Sequence, residues 1–197
     1  MKDYNIILCG VGGQGTILAS KIIAQTAVRL GVNCRVGETH GMSQRGGSVV
    51  SHVRIGDNVL GAITPENQGQ MMLAFEPVES LRYMNFLEPN GWVVLNTHPI
   101  VPTSVNAGLA KYPAMKTIDA ELRKATNRIK AIPASEIANS IGSIITLNMV
   151  ILGAASCVPG YPFSADETKK SIQELVKPAY LELNIKAFES GVTAFNQ

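Results

Sequence analysis

Two stretches of this sequence carry residue types whose spacing can do chemistry. The first is CGVGGQGT, Cys9 to Thr16, in which Gly10, Gly12 and Gly15 fit the GxGxxG spacing and Gly13 and Gln14 fill the gap. Glycines spaced in this way between a strand and a helix let the backbone approach an anion, and the helix N-terminus that follows favours negative charge. The second is THGMSQRGGSVVSHVR, Thr39 to Arg54. Here Arg45 precedes Gly46 and Gly47, where the backbone can turn sharply. His52 and Arg54 alternate with Val53 and Ile55, so the two basic side chains share one strand face. Together with the hydroxyls of Thr39 and Ser43, the strip of Arg45, His52 and Arg54 is a candidate surface for an anion or an acidic partner.

The glycine loop admits three readings. As a dinucleotide site it would need an acidic residue for the ribose about 20 residues on, and Glu38 is the candidate. Against this, the strand carrying Glu38 runs into a glycine-rich loop instead of a second crossover helix, no second mononucleotide-binding half follows, and no dehydrogenase motif supplies a catalytic His, Lys or Tyr. The glycines can also serve tight helix–strand packing alone. The third reading is a phosphate or partner contact at the helix N-terminus, which gives Gly13 and Gln14 a purpose. Cysteines stand at 9, 34 and 157, odd in number and far apart, so they make neither a disulfide framework nor a CxxC metal site.

These residues need elements to hold them. Tyr4 to Leu8 has the pattern of a short buried strand, and Thr16 to Leu30 that of a helix stopped by Gly31. Asn33 to Val36 predicts a second strand, joined by a loop to a third over SVVSHVRIG. Met71 to Phe75 predicts a strand, Pro77 opens a helix over VESLRYMNFL, and the turn EPNG precedes the strand WVVLN. A helix is expected around 119–128 and a strand at KAIP. The final third is helical: 135–139, 144–155, 165–176 and 178–190. The expectation is one α/β domain over 1–197, with a central mixed sheet, a Rossmann-like strand–glycine loop–helix start and a helical C-terminal third.

Bulk properties narrow the function classes. The chain has 197 residues, 46% of them hydrophobic and 16% charged, which excludes a disordered tail. A net charge of +2 and a single RGG do not make a nucleic-acid binder. No run reaches the ~18 to 20 apolar residues of a membrane span. The first residues enter a strand pattern directly, so no signal peptide and a cytoplasmic location are expected.

Taken together, GxGGQG and ET-GMSQRGG-V-HVR resemble the gamma subunit or domain of 2-oxoacid:ferredoxin oxidoreductases. LAFEPVESLR (73–82), TLNMVILGA (146–154, with Asn148 at the matching place) and LELNIKAFESG (181–191) agree, so the resemblance covers nearly the whole chain. The GMSQRGG form looks most like the branch using aryl pyruvates such as indolepyruvate. One departure is Gln70, where the family usually carries Asp. The resemblance implies a subunit that is inactive alone. It would pack on a larger alpha subunit holding thiamine diphosphate, Mg and iron–sulfur clusters, serve ferredoxin indirectly and help complete a coenzyme A (CoA) site. Gly10 to Gly15, Thr39 and Ser43 to Gly47 would then be the contact loops, Arg45 would take an anionic group, and His52, Arg54 and Asn148 would touch partner or anion. An NAD(P)-binding oxidoreductase and a purely structural assembly subunit are the alternatives.

Overall fold

The computed structural model describes residues 2–40 and 46–197. Its elements, in order, are β1 (Tyr4–Val11), α1 (Thr16–Arg29), β2 (Cys34–His40), β3 (Ser48–Ile55), β4 (Gly69–Ala74), α2 (Pro77–Arg82), β5 (Leu87–Asn96), α3 (Thr103–Asn106), α4 (Met115–Leu122), β6 (Ile129–Ile132), α5 (Ala134–Ile141), α6 (Leu147–Ala155), α7 (Ala165–Leu175) and α8 (Pro178–Asn196). The six strands form one mixed sheet in the order β2-β3-β1-β4-β5-β6. β1, β4, β5 and β6 run parallel, while β3 is antiparallel to both β1 and β2.

The strand–loop–helix start has a form the sequence pattern does not reveal. β1 and β2 are joined through α1, but β3 is inserted between them. β2 and β3 connect without a helix, as expected, and pair in register from Cys34 opposite Ile55 to Thr39 opposite Val50.

Alternate residues of the buried strands feed two core clusters. Ile6, Leu8, Val53, Ile55, Met71, Leu73 and Phe75 pack with α1, α5, α6, α7 and α8. Ile7, Cys9, Val50, Met72, Ala74, Val93 and Leu95 pack with Ile118 and Leu122 of α4 and with Val78 and Leu81 of α2. The sheet is thus covered on both faces, which explains the continuous apolar runs in place of alternation.

Several boundaries differ from expectation. The helix expected at 119–128 is α4, which starts four residues and ends six residues earlier, because Ile118 and Leu122 at i, i+4 are its buried face. The expected turn at 88–91 bows out inside β5, where pairing jumps from Gly69–Leu87 to Met71–Trp92, with Asn90 at φ 63°. Gln70 supports that bow: its Oε1 accepts from the Asn5 amide at 2.7 Å and its Nε2 donates to Glu88 Oε2 at 2.7 Å. An amide can do both, whereas an Asp there would set two carboxylates against each other. No helix among the described residues is long and apolar enough to cross a membrane.

Candidate functional site

The glycine loop leaves β1 and enters α1 through two residues that need left-handed backbone, Gly13 at φ 104° and Gly15 at φ 79°. Gly15 is the N-cap of α1, has no side chain to cap the helix, and is followed by no acidic residue in the first turn. The amides of that turn therefore have no side-chain cap, and the positive end of the helix is not neutralised locally. The loop is tied to the start of β3 by Gly12 N donating to Gly47 O at 2.8 Å and Gly46 N donating to Gly12 O at 3.3 Å. Gly10, Gly12, Gly13, Gly15, Gly46 and Gly47 are thus brought together, with exposed Thr39 at the same end of β2. Ser43 and Arg45 lie outside the described residues.

Gln14 points inward. Its Oε1 accepts from Val11 N at 2.8 Å, its Nε2 donates to Phe75 O at 2.8 Å, and it fills the space beside Gly10, where a Cβ would meet that same Oε1. Its amide holds the loop to the end of β4. Asn148 on α6 is also buried, and its Nδ2 donates to Gly15 O at 3.3 Å, leaving no room for a side chain at Gly15.

Of the expected basic strip, only His52 and Arg54 lie among the described residues, and they do not form a solvent-facing pair. His52 is 2% exposed and packs edge-on against Phe86 at 4.9 Å. The segment between β3 and β4 and the turn before β5 cover the face that alternation had assigned to solvent. Arg54 faces the other end of the sheet: its Nε donates to Asn5 Oδ1 at 2.9 Å and its Nη1 to Gly61 O at 3.0 Å. Six residues separate Arg54 from Ser48, about 20 Å along a strand.

In front of the glycine loop lies a groove of about 400 Å³, lined by Gly12, Gly13, Gln14 and Gly46 on one side and His98, Ser135 and Asn139 on the other, with the exposed side chains of Ile144 and Ile145 also lining it. It opens at the C-terminal ends of β1, β5 and β6, the usual position for ligands in α/β sheets. Sequence reasoning missed this second wall. A polar residue closing the apolar strand WVVLN and the Ser after KAIP were the signals, since strand C-termini are where function collects.

Asn96 at the end of β5 is fully buried; its Nδ2 donates to Phe75 O at 2.9 Å and to Ser135 Oγ at 3.1 Å. Its Oδ1 accepts from Ser135 N at 3.3 Å and His98 N at 3.4 Å. Beside it, buried Glu76 caps α2, accepting from Val78 N at 2.7 Å and Glu79 N at 3.1 Å, and holds the following loop through Ile100 N and the Tyr112 hydroxyl. Burial, reinforced by that carboxylate, raises the Tyr112 phenol well above its ordinary range.

The groove carries no reactive thiolate. Burial pushes the Cys9 thiol far up, with the carboxylates of Glu79 and Glu76 adding to it. Cys34 is pushed up to about 11 by burial, against the opposing charge of Arg35. Neither has the lowered pKa of a nucleophile. Among the described residues no group of three or more His, Cys, Asp or Glu could hold a metal ion. The dinucleotide reading also loses its geometry. Glu38 sits on β2, two strands and about 10 Å from β1, and its carboxylate accepts from Ser20 Oγ at 3.2 Å.

Mixed sheet, split crossover and glycine loop define an α/β protein with a groove at the strand C-termini. The family profile described as pyruvate ferredoxin/flavodoxin oxidoreductase matches residues 5–194, and the chain belongs to that family. It is 45% identical to the indolepyruvate oxidoreductase subunit IorB of Pyrococcus horikoshii, over 98% of this chain and 96% of that one. It is 47% identical to the subunit of the same description from Archaeoglobus fulgidus, over 95% and 92%. The gamma subunit of a keto/oxoacid ferredoxin oxidoreductase from Geobacter sulfurreducens superposes with a TM-score of 0.73 at 27% identity, covering 98% of both chains. The same fold occurs inside a longer chain, the 2-oxoglutarate:ferredoxin oxidoreductase of Magnetococcus marinus (TM-score 0.74, 21% identity), where it matches 31% of that chain.

Proposed function

We propose that this chain is the small subunit of an indolepyruvate:ferredoxin oxidoreductase. In this reading it is inactive alone and packs on a larger subunit that carries thiamine diphosphate, Mg and the iron–sulfur clusters. The assembled enzyme converts an aryl pyruvate, CoA and oxidised ferredoxin to an arylacetyl-CoA, CO2 and reduced ferredoxin. Near-full-length identity of 45% to a subunit described by that substrate is the observation that carries it.

The geometry supports the small subunit's part. Difficult chemistry of this kind resides in cofactors, with protein supplying position and electrostatics. The groove offers the glycine-loop backbone at Gly12 and Gly13, with the uncapped N-terminus of α1 behind it to favour a phosphate or carboxylate, and polar groups from Ser135, Asn139 and His98 beside apolar side chains. CoA, with anionic phosphates and an arm of amides and methylenes, is a substrate of that chemistry. Arg45, which directly precedes Gly46 in the sequence, is assigned the cation for the same anion.

The test is anaerobic co-purification of the tagged chain from its source, followed by assay of indolepyruvate- and CoA-dependent ferredoxin reduction. A co-purifying larger chain with thiamine diphosphate and iron, and turnover that falls about tenfold or more in Arg45→Ala with the complex intact, is the expected result. Recovery of the chain alone, or a thermal shift with NAD or NADP instead of CoA, sends the reading back to a nicotinamide enzyme. Loss of the complex in Arg45→Ala points to assembly alone.

A further inference from the structure

We infer that Asn96 is a positioning residue for the groove, setting the distance between its glycine wall and its helical wall; this rests on the reading that the groove takes CoA. The two walls have no continuous backbone between them. One is the Gly12–Gln14 loop after β1; the other is His98, after β5, with Ser135 and Asn139 from α5. Both hang from a single acceptor, the carbonyl of Phe75 just beyond β4. Gln14 Nε2 reaches that oxygen from the first wall at 2.8 Å and Asn96 Nδ2 from the second at 2.9 Å. A carbonyl has two lone pairs, so the pivot is fully used.

Asn96 then distributes the second wall. Its Nδ2 also reaches Ser135 Oγ, while its Oδ1 receives the Ser135 and His98 amides. One fully buried amide thus fixes the first turn of α5 and the backbone of His98 relative to β4. Such a residue touches no substrate, yet it controls where the touching groups stand. Displacement of one wall by a fraction of an ångström weakens contacts that must be made on both sides at once.

Asn96→Asp isolates this role. The carboxylate keeps the acceptor for Ser135 N and His98 N, but it loses the donor and sets an anion against the Phe75 carbonyl. Asn96→Thr keeps a hydroxyl at the end of β5, suits a strand position and guards against a variant that fails to fold. In the complex reconstituted with the larger subunit, the Kd for CoA by calorimetry and the KM for CoA are expected to rise together. The rise should be roughly tenfold for Asn96→Asp, for the loss of a buried hydrogen bond, and less for Asn96→Thr. The KM for indolepyruvate and kcat at saturating CoA should stay at their starting values. Unchanged CoA constants in a folded, assembled Asn96→Asp complex overturn the inference. So does a uniform fall in kcat and rise in both KM values, which marks general disruption. If the unaltered complex shows no CoA binding or no indolepyruvate turnover, the functional reading fails instead.

Discussion

His52 shows what a single side chain can report. It is buried against Phe86, and no hydrogen-bond partner reaches its Nδ1. Burial, then the nearby charge of Arg54, lowers its pKa below the ordinary value. The unfolded chain takes up a proton as pH falls through about 6.5, while the folded chain resists until lower pH. Stability is therefore full above that value and declines as pH falls below it. The Tm measured from pH 7.5 to 5 should drop over this window, and His52→Leu should flatten that part of the profile. An equal slope in His52→Leu would assign the decline to other groups. Gln14 makes a related point, since its residue type suggested contact with a ligand and its surroundings give it an internal task.

Between elements, α6 and α8 come into backbone-to-backbone contact. Gly153 lies against the backbone of Phe188, and Gly191 against the backbone of Val150, so a Cβ at either would run into a carbonyl oxygen. These glycines explain why α8 continues past Gly191 to Asn196, where the spacing predicted a stop at Ser190. Gly153→Ala or Gly191→Ala should cost about 3 kcal/mol by overpacking, seen as a lower urea midpoint. A midpoint within error of the unaltered chain would mean the helices slide apart freely.

The same scale shows what was legible in the sequence. Apolar runs such as NIIL, MMLAF and WVVL gave the strands, and the period of TILASKIIAQ gave α1, because local pattern determines such elements. The insertion of β3 between β1 and β2 was not legible, since strand order depends on long-range pairing. Nor was the burial of His52, which depends on segments 57–68 and 84–86 folding over it. Half of the groove was found through its glycines. The wall of His98, Ser135 and Asn139 was missed because α5 meets the end of β5 only in the tertiary fold, where Asn96 ties Ser135 to the backbone of His98.

At the scale of the molecule, the groove lies at the C-terminal ends of the parallel strands and the chain ends lie towards the opposite end of the sheet. Asp3 lies against Gly56 below the start of β1, and Phe195 packs near Trp92 at 6.2 Å and under Lys130 at 5.5 Å, at the starts of the parallel parts of β5 and β6. Polypeptide appended at either terminus therefore leaves from the end of the sheet away from Gly12 and His98. A folded reporter domain fused after Gln197 should leave partner co-purification and the KM for CoA unchanged, whereas the same domain inserted at Ser143, beside Ile144 and Ile145, should abolish both. A fusion at Gln197 that blocks assembly would place the partner at the opposite end. This layout makes the unit portable. A gene fusion can splice it into a longer polypeptide without rerouting any strand, and the match to less than a third of the Magnetococcus chain is the same fold carried as a module.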